Sequence, residues 1–292
     1  MARIRLSWHD WAMRCGVVVI MVAGLVAQDS TVIRVPVRLV AVPTLVYSRE
    51  NTLIPGLKKA DFRLLDNGVP QKVDLDTDDA PVSVVIAIQA NKDVRETVPF
   101  ISKVGSVMEA HLVGETGRAA VLAYNDDIKV LKPFGTGDVR WAFRALRAGG
   151  GESRAIDAGM EAIAMLKVRP RTQARVLLFI GQAMDRGSKA DWAALEQEAD
   201  RENVSIYGLI SADAKPDPLS PLIAATGGTE LHFRHQPELE NAIGALGVEL
   251  RSAYMLSYYP SSADAGRHTI SVEVSVPGAK TRARPGYMLS PN

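Results

Sequence analysis

Three short polar stretches hold the side chains of this chain best suited to chemistry. The first is Gln89, Ala90, Asn91, Lys92 and Asp93, directly after a run at 82–88 that is apolar but for Ser83. The second is Gly149-Gly150-Gly151 with Glu152, Ser153 and Arg154 behind it. The third, residues 181–185, contains Gln182 and Asp185 and follows the apolar run at 176–180. Gln89, Asn91 and Gln182 bring amides that both donate and accept hydrogen bonds, while Lys92, Asp93 and Arg154 add charge of both signs. That combination suits the grip of a partner surface.

Other constellations carry less. Ser188, Asp185 and His111 include the residue types of a nucleophilic triad, but no G-x-S-x-G elbow or comparable context sets a serine beside a base. The triple glycine lacks the G-x-x-x-x-G-K pattern of a phosphate loop. His232 and His235 are spaced so that, on a strand, their rings face opposite ways, which reads as surface histidines rather than a metal pair. Arg282 and Arg284 at alternate strand positions read as a solvated face, and Tyr254, Tyr258 and Tyr259 as sandwich core. An enzyme of unknown reaction therefore stands behind the other readings.

The elements that must position these stretches follow from periodicity. Residues 82–88 and 175–180 are mostly apolar without alternation, as strands covered on both faces of a parallel sheet are, and 204–210 is a third such strand. Ligands of open α/β sheets bind beyond the carboxyl ends of such strands, where residues 89–93 and 181–185 fall. Between the strands, apolar residues recur at helical spacing: Val98, Ile101, Val104, Met108 and Leu112; Val139, Phe143 and Leu146; Ile156, Met160, Ile163 and Leu166; Leu239, Ile243, Leu246 and Leu250. Residues 192–203 and 222–226 are further helices, the latter stopped by Gly227-Gly228, and 119–124 with 128–131 make a strand pair.

The flanks are β in character. Residues 31–48 alternate Ile33, Val35, Val37 and Leu39 with polar positions, and Pro36 and Pro43 push this strand toward a sheet edge. Residues 61–65 form a strand that Asp66-Asn67-Gly68 turns into a second at 71–75. After the last helix, 253–259 is a strand and 268–276 alternates Ile270, Val272, Val274 and Val276 with polar residues. Neither flank has enough strands to stand alone, so 28–80 and 252–292 are expected to pair into one β-sandwich around an inserted α/β domain at 81–251.

With 34 basic and 33 acidic residues in 292, the global charge gives no reason to expect nucleic acid as a partner. Residues 1–27 read as a secretory signal peptide, with Arg3, Arg5 and Arg14, then an apolar core from residue 16 that is too short to span a bilayer. Cys15, the only cysteine, lies inside that segment, so the mature chain is expected to have no disulfide and no membrane span. Export to the periplasm or the exterior follows.

The strand-helix order and the stretches GLKKADFRLLDNGVPQ, DAPVSVVIAI, AYNDDIKVLKPF, GGGESRAIDA, LRSAYMLSYYP and RARPGY resemble the von Willebrand factor A (VWA) domain family, specifically the VWA-related exported proteins of acidobacteria. The resemblance implies a Rossmann-type sheet with helices on both faces. It also implies a metal-ion-dependent adhesion site, built from an Asp-x-Ser-x-Ser loop, a Thr and a second Asp. Here Gln89, Asn91 and Asp93 match the loop, Ser153 the Thr and Gln182 the second Asp, so all five positions depart from the pattern. Both family carboxylates have become neutral amides, leaving Asp93 and Glu152 as anions for a cation that needs charge. The expectation is a non-catalytic protein-binding or scaffold module with a degenerate site and no cofactor, using Gln89, Asn91, Lys92, Asp93, Glu152, Ser153, Arg154, Gln182 and Asp185. The alternative is an adhesion domain that keeps weak Mg²⁺ or Ca²⁺ on Asn91, Asp93 and Ser153.

Overall fold

The computed structural model describes residues 39–76, 82–135, 138–182, 184–212, 214, 219–262 and 264–289. The expected signal peptide and the alternating residues at 31–38 lie outside the described residues. In chain order the strands are β1 (Val40–Tyr47), β2 (Phe62–Asp66), β3 (Val69–Pro70), β4 (Val73–Asp76), β5 (Ser83–Gln89), β6 (Arg118–Tyr124), β7 (Ile128–Lys132), β8 (Arg175–Gly181), β9 (Val204–Ser211), β10 (Glu230–Phe233), β11 (Tyr254–Tyr258), β12 (Gly266–Val274), β13 (Lys280–Arg282) and β14 (Gly286–Leu289). The helices are α1 (Val98–Ile101), α2 (Gly105–Met108), α3 (Arg140–Ala145), α4 (Ala155–Lys167), α5 (Trp192–Glu202), α6 (Leu219–Ala225) and α7 (Gln236–Ser252).

The central sheet runs β10-β9-β8-β5-β6-β7, parallel except for the antiparallel edge strand β7. β5, β8 and β9 are buried at every position, including the polar residues Ser83, Gln89, Arg175, Ser205 and Ser211 at or near their ends. The period of two is still there, hidden by burial on both faces. Val84, Ile86 and Ile88 pack with Phe143 and Ile243 on one side, while Val85 and Ala87 pack with Ile163 and Leu195 on the other. After β5 the chain crosses to β6, and after β8 it crosses to β9 on the opposite flank. The carboxyl ends of β5 and β8 therefore flank the switch point of the sheet.

The flanking segments pair into two four-stranded sheets, β13-β1-β11-β4 and β14-β12-β2-β3, which share one apolar core. Each interleaves strands from before and after the α/β unit: β1 and β4 flank β11, and β2 pairs β12. Asn67 (φ 49°) and Gly68 (φ 78°) make the two-residue hairpin turn that an Asn-Gly pair favours. Only residues 69–70 return along β2, however. The chain then crosses to the other sheet, so residues 73–76 pair with β11 and not within the expected hairpin.

Two further expectations are corrected. β1 is an interior strand, and it tolerates Pro43 because β13 pairs only with Leu45 to Tyr47, leaving the proline's outer side without a ladder partner. The helical spacing over 98–112 becomes two four-residue helices and a π-helical turn at Glu109–Val113. Pro99 opens this segment, and neither short helix has a side-chain cap.

Candidate functional site

The three polar stretches meet at the switch point. Gly149 N–H donates to the Ala90 carbonyl at 2.7 Å, and Ala90 N–H donates to the Tyr124 carbonyl at 2.8 Å, which draws the glycine loop against the end of β5. Glycine is required on both sides of this junction. A Cβ at Gly149 would lie 2.6 Å from the Asn125 amide nitrogen, and one at Gly181 (φ 140°) would lie 2.6 Å from the Gln89 Cβ.

Gln89, Asn91 and Ser153 are fully buried, with 0 % of their surface exposed, and their polar atoms are bonded inside the protein. Gln89 Oε1 accepts from the Gln182 N–H at 2.8 Å, and Gln89 Nε2 donates to Asn91 Oδ1 at 2.9 Å. Asn91 Nδ2 donates in turn to Asp93 Oδ2 at 2.9 Å, and the Ser153 hydroxyl donates to the Met184 carbonyl. Gln182 Nε2 reaches the Asp93 carbonyl at 3.4 Å. An amide chain thus links Gln89, Asn91 and Asp93, the residues expected to match the family loop.

Above this chain lie four charges. Arg186 Nη1 is 3.2 Å from Asp93 Oδ2 and 4.0 Å from Glu152 Oε2, while Lys92 Nζ is 3.4 Å from Glu152 Oε1. Lys92, Glu152 and Arg186 are about half exposed, with side chains at 52 %, 48 % and 47 %. Beside them opens a depression of about 300 Å³ bordered by Ala90, Asn125, Asp126, Lys129 and Arg147. The donor set fits a divalent cation poorly. Its one deeply placed carboxylate already faces a guanidinium, and the oxygens of Gln89 and Asn91 are taken by amide N–H groups.

Arg154 and Asp185 sit in the same loops but are turned to internal partners. Asp185 Oδ1 accepts the Ile156 N–H at 3.0 Å, and Ser188 Oγ accepts the Asp157 N–H at 3.0 Å, so the loop after β8 caps the first turn of α4. The Arg154 guanidinium donates to Asp157 at 2.6 Å and to the Asp126 carbonyl at 3.1 Å. Burial raises the Asp157 carboxyl, but Arg154 and the N–H groups of Lys189 and Ala190 outweigh it and hold it below the ordinary range. Ser188 and Asp185 are thus helix-capping groups. His111 lies elsewhere, against Gly247 and Arg251 of α7, so no triad is assembled from these three.

Arg186 went unrecognised in the sequence, because an isolated Arg four residues beyond a Gln carries no local signal. Arg284 does not lie on the solvated face expected of it. It is buried, its Nη2 lies 3.1 Å from Asp200, and it also bonds Asn203. Arg282 pairs with Glu249 and stacks over Tyr47. Of the tyrosines, Tyr258 is core, Tyr254 bridges the Ile54 carbonyl and the Leu57 N–H, and Tyr259 is exposed. His232 and His235 pair with Glu230 and Glu238 respectively. Among the described residues no cluster of three His, Cys, Asp or Glu could hold a metal, and no helix is long and apolar enough to cross a membrane.

No sequence-family profile matches the chain, and no curated protein matches it. Solved structures do. A von Willebrand factor type A protein from Catenulispora acidiphila superposes with a TM-score of 0.52 at 11 % identity, covering 88 % of this chain and 74 % of that one. The conserved hypothetical protein BatB from Bacteroides thetaiotaomicron gives a TM-score of 0.46 at 11 % identity, over 58 % of this chain and 98 % of its own. An aerotolerance-related membrane protein from Bacteroides fragilis gives 0.44 at 12 %, over 57 % and 99 %. The sheet order, the helices on both faces and the first of these superpositions establish that the chain has the von Willebrand factor A fold.

Proposed function

We propose that this protein is an exported, non-catalytic interaction module of the acidobacterial VWA-related kind, which binds a partner protein at the carboxyl end of its central sheet without a bridging cation. One observation supports the reading: the amides of Gln89 and Asn91 and the Arg186 guanidinium are knitted together at the positions that the resemblance would assign to an ion. What remains for a partner is the half-exposed set Lys92, Glu152 and Arg186, with Asp93 beneath it and the depression beside Asn125. Charges of both signs at a rim favour orientation and selectivity over raw affinity.

The test is a pull-down from envelope extract with the mature chain, run in chelator. Wild type should retain a discrete partner that Lys92→Glu and Arg186→Glu each lose, while a charge reversal on the remote Lys167 retains it. Capture that disappears in chelator and returns with Mg²⁺ or Ca²⁺ would instead establish the metal-dependent adhesion reading. Capture unaffected by either top-face reversal would move the interaction surface elsewhere.

A further inference from the structure

The sandwich contains a buried titratable group with no part in the proposed interaction surface. His268 on β12 is in phase with Ile270 and Val272 and so points into the core, where it is almost wholly enclosed. Its Nδ1 is 2.8 Å from Asp66 Oδ1, and its Nε2 is 2.8 Å from the Asp264 carbonyl oxygen. A carboxylate and a carbonyl can only accept. A neutral imidazole has one N–H, so it would leave a lone pair facing one of these oxygens; the imidazolium satisfies both.

Asp66 is the hub of this cluster. Its other oxygen accepts from Tyr258 at 2.8 Å and from Tyr287 at 2.9 Å. Asp66, His268 and Tyr287 belong to the sheet containing β2, β12 and β14, whereas Tyr258 comes from β11 in the opposite sheet. The hub therefore ties one sheet to the other. Next to it in the chain, Arg267 bonds Asp200 of α5, and Arg284 bonds Asp200 and Asn203. Asn203 Nδ2 in turn donates to the Ala41 carbonyl of β1 at 2.9 Å. The same layer thus docks the sandwich on the α/β unit.

We propose that the Asp66 and His268 pair is a proton-operated latch on the seam between the sandwich sheets and α5, closed while both ring nitrogens carry protons and loosened when one is lost. The groups facing His268 are Asp66, Tyr258, Tyr287 and the Asp264 carbonyl, with Arg267, Arg284 and Asp200 in the next ring outward. The two phenols remain donors, because burial first, and then the neighbouring Tyr287 and Asp66, keep the Tyr258 proton bound; burial and Asp66 do the same for Tyr287. For His268 itself burial would expel the proton, but the Asp264 carbonyl and Asp66 outweigh burial and raise its pKa above the ordinary histidine value. A folded pKa above the unfolded value of about 6.5 gives stability that is fully present below that value and lost as pH rises through the folded one. Neutral His268 leaves Asp66 buried without its cation, on the oxygen that faces β12.

The experiment uses the full mature chain, with histidine ring nitrogens observed by NMR and unfolding followed by calorimetry from pH 5.5 to 9.5. Both nitrogens of His268 should be protonated at pH 6. The melting temperature should fall as the ring titrates, and His268→Gln should abolish that fall. Amide protection, corrected for intrinsic exchange, should drop in β12, β14 and α5 over the same range. A single N–H on His268 at pH 6 overturns the latch, as does an identical fall in His268→Gln. Titration without loss of protection in α5 overturns its link to the seam. If His268→Gln does not fold, the ring-nitrogen and protection measurements on wild type decide.

Discussion

Asp93 Oδ2 is shared by Asn91 Nδ2 at 2.9 Å and Arg186 Nη1 at 3.2 Å, the second a contact across 93 residues of chain. A single carboxylate oxygen thus closes the amide chain from below and is neutralised from above. A cation arriving here would have to displace a guanidinium and break an amide hydrogen bond.

Millimolar Mg²⁺ or Mn²⁺ should therefore leave the melting temperature of wild type unchanged. Restoring the family pattern with Gln89→Asp, Asn91→Ser, Asp93→Ser and Gln182→Asp should create binding, with Ser153 completing the set. Adding Arg186→Ser should tighten it, since the guanidinium otherwise stays as a competing charge. At 100 times its dissociation constant a ligand stabilises by about 2.7 kcal/mol, or roughly 5–10 °C in a melt. If wild type is stabilised by Mg²⁺ and Asp93→Ala removes the effect, the metal-dependent reading replaces the one proposed.

Gln89→Leu should be costly although the volume is similar. It strands the Gln182 N–H and Asn91 Oδ1, both of which rely on the Gln89 amide. Unsatisfied buried groups cost roughly 1–3 kcal/mol each, so urea unfolding should show a loss of about 2–4 kcal/mol. A change below about 0.5 kcal/mol, the range of a neutral surface substitution, would mean that these bonds do not hold the loops together.

Acid stability should depend on Asp157. Its folded pKa is depressed, so its contribution is present above the unfolded carboxylate value of about 3.9 and is lost as pH falls through the folded one. Asp157→Asn should lower the melting temperature at pH 7 and leave it nearly unchanged at pH 2. Equal losses at both pH values would trace the effect to packing and not to charge.

Deleting 252–292 removes β11 from between β1 and β4, and β12 from beside β2. The truncated chain should expose the apolar faces of Val42, Leu64 and Val73 and aggregate. A monomeric fragment that unfolds cooperatively would show that the remaining strands do not need those partners.

The central sheet was legible because strands buried on both faces leave apolar runs without alternation: 84–88 and 176–180 are unbroken, and 204–210 is interrupted by Ser205. The position of Asn91 and Gln182 beyond the strand ends followed from the same runs, while Gln89 is the last residue of β5 itself. Arg186 and Arg284 were not legible: their partners Asp93 and Asp200 are 93 and 84 residues away, and an ion pair leaves no periodic trace. His268 was half legible, since the alternation that continues through Ile270 and Val272 already placed it on the inner face. Pro43 misled because the rule against proline in a sheet applies to a ladder side, and β13 leaves that side open.

The interleaved sandwich sets the order in which this protein can be completed. The Tyr287 to Asp66 hydrogen bond spans 221 residues, β1 gains its strand neighbours only once β11 and β13 have been made, and β2, beyond its two-residue pairing with β3, waits for β12. A chain emerging from its amino end thus carries unpaired apolar strands throughout synthesis of the whole α/β unit, an interval of roughly ten seconds or more at ordinary elongation rates. Such contacts between distant residues are slow to form, because a long loop must close before any of them is rewarded. A holdase that shields those early strands is the kind of help this topology calls for, and refolding in its absence should lose yield steeply with concentration.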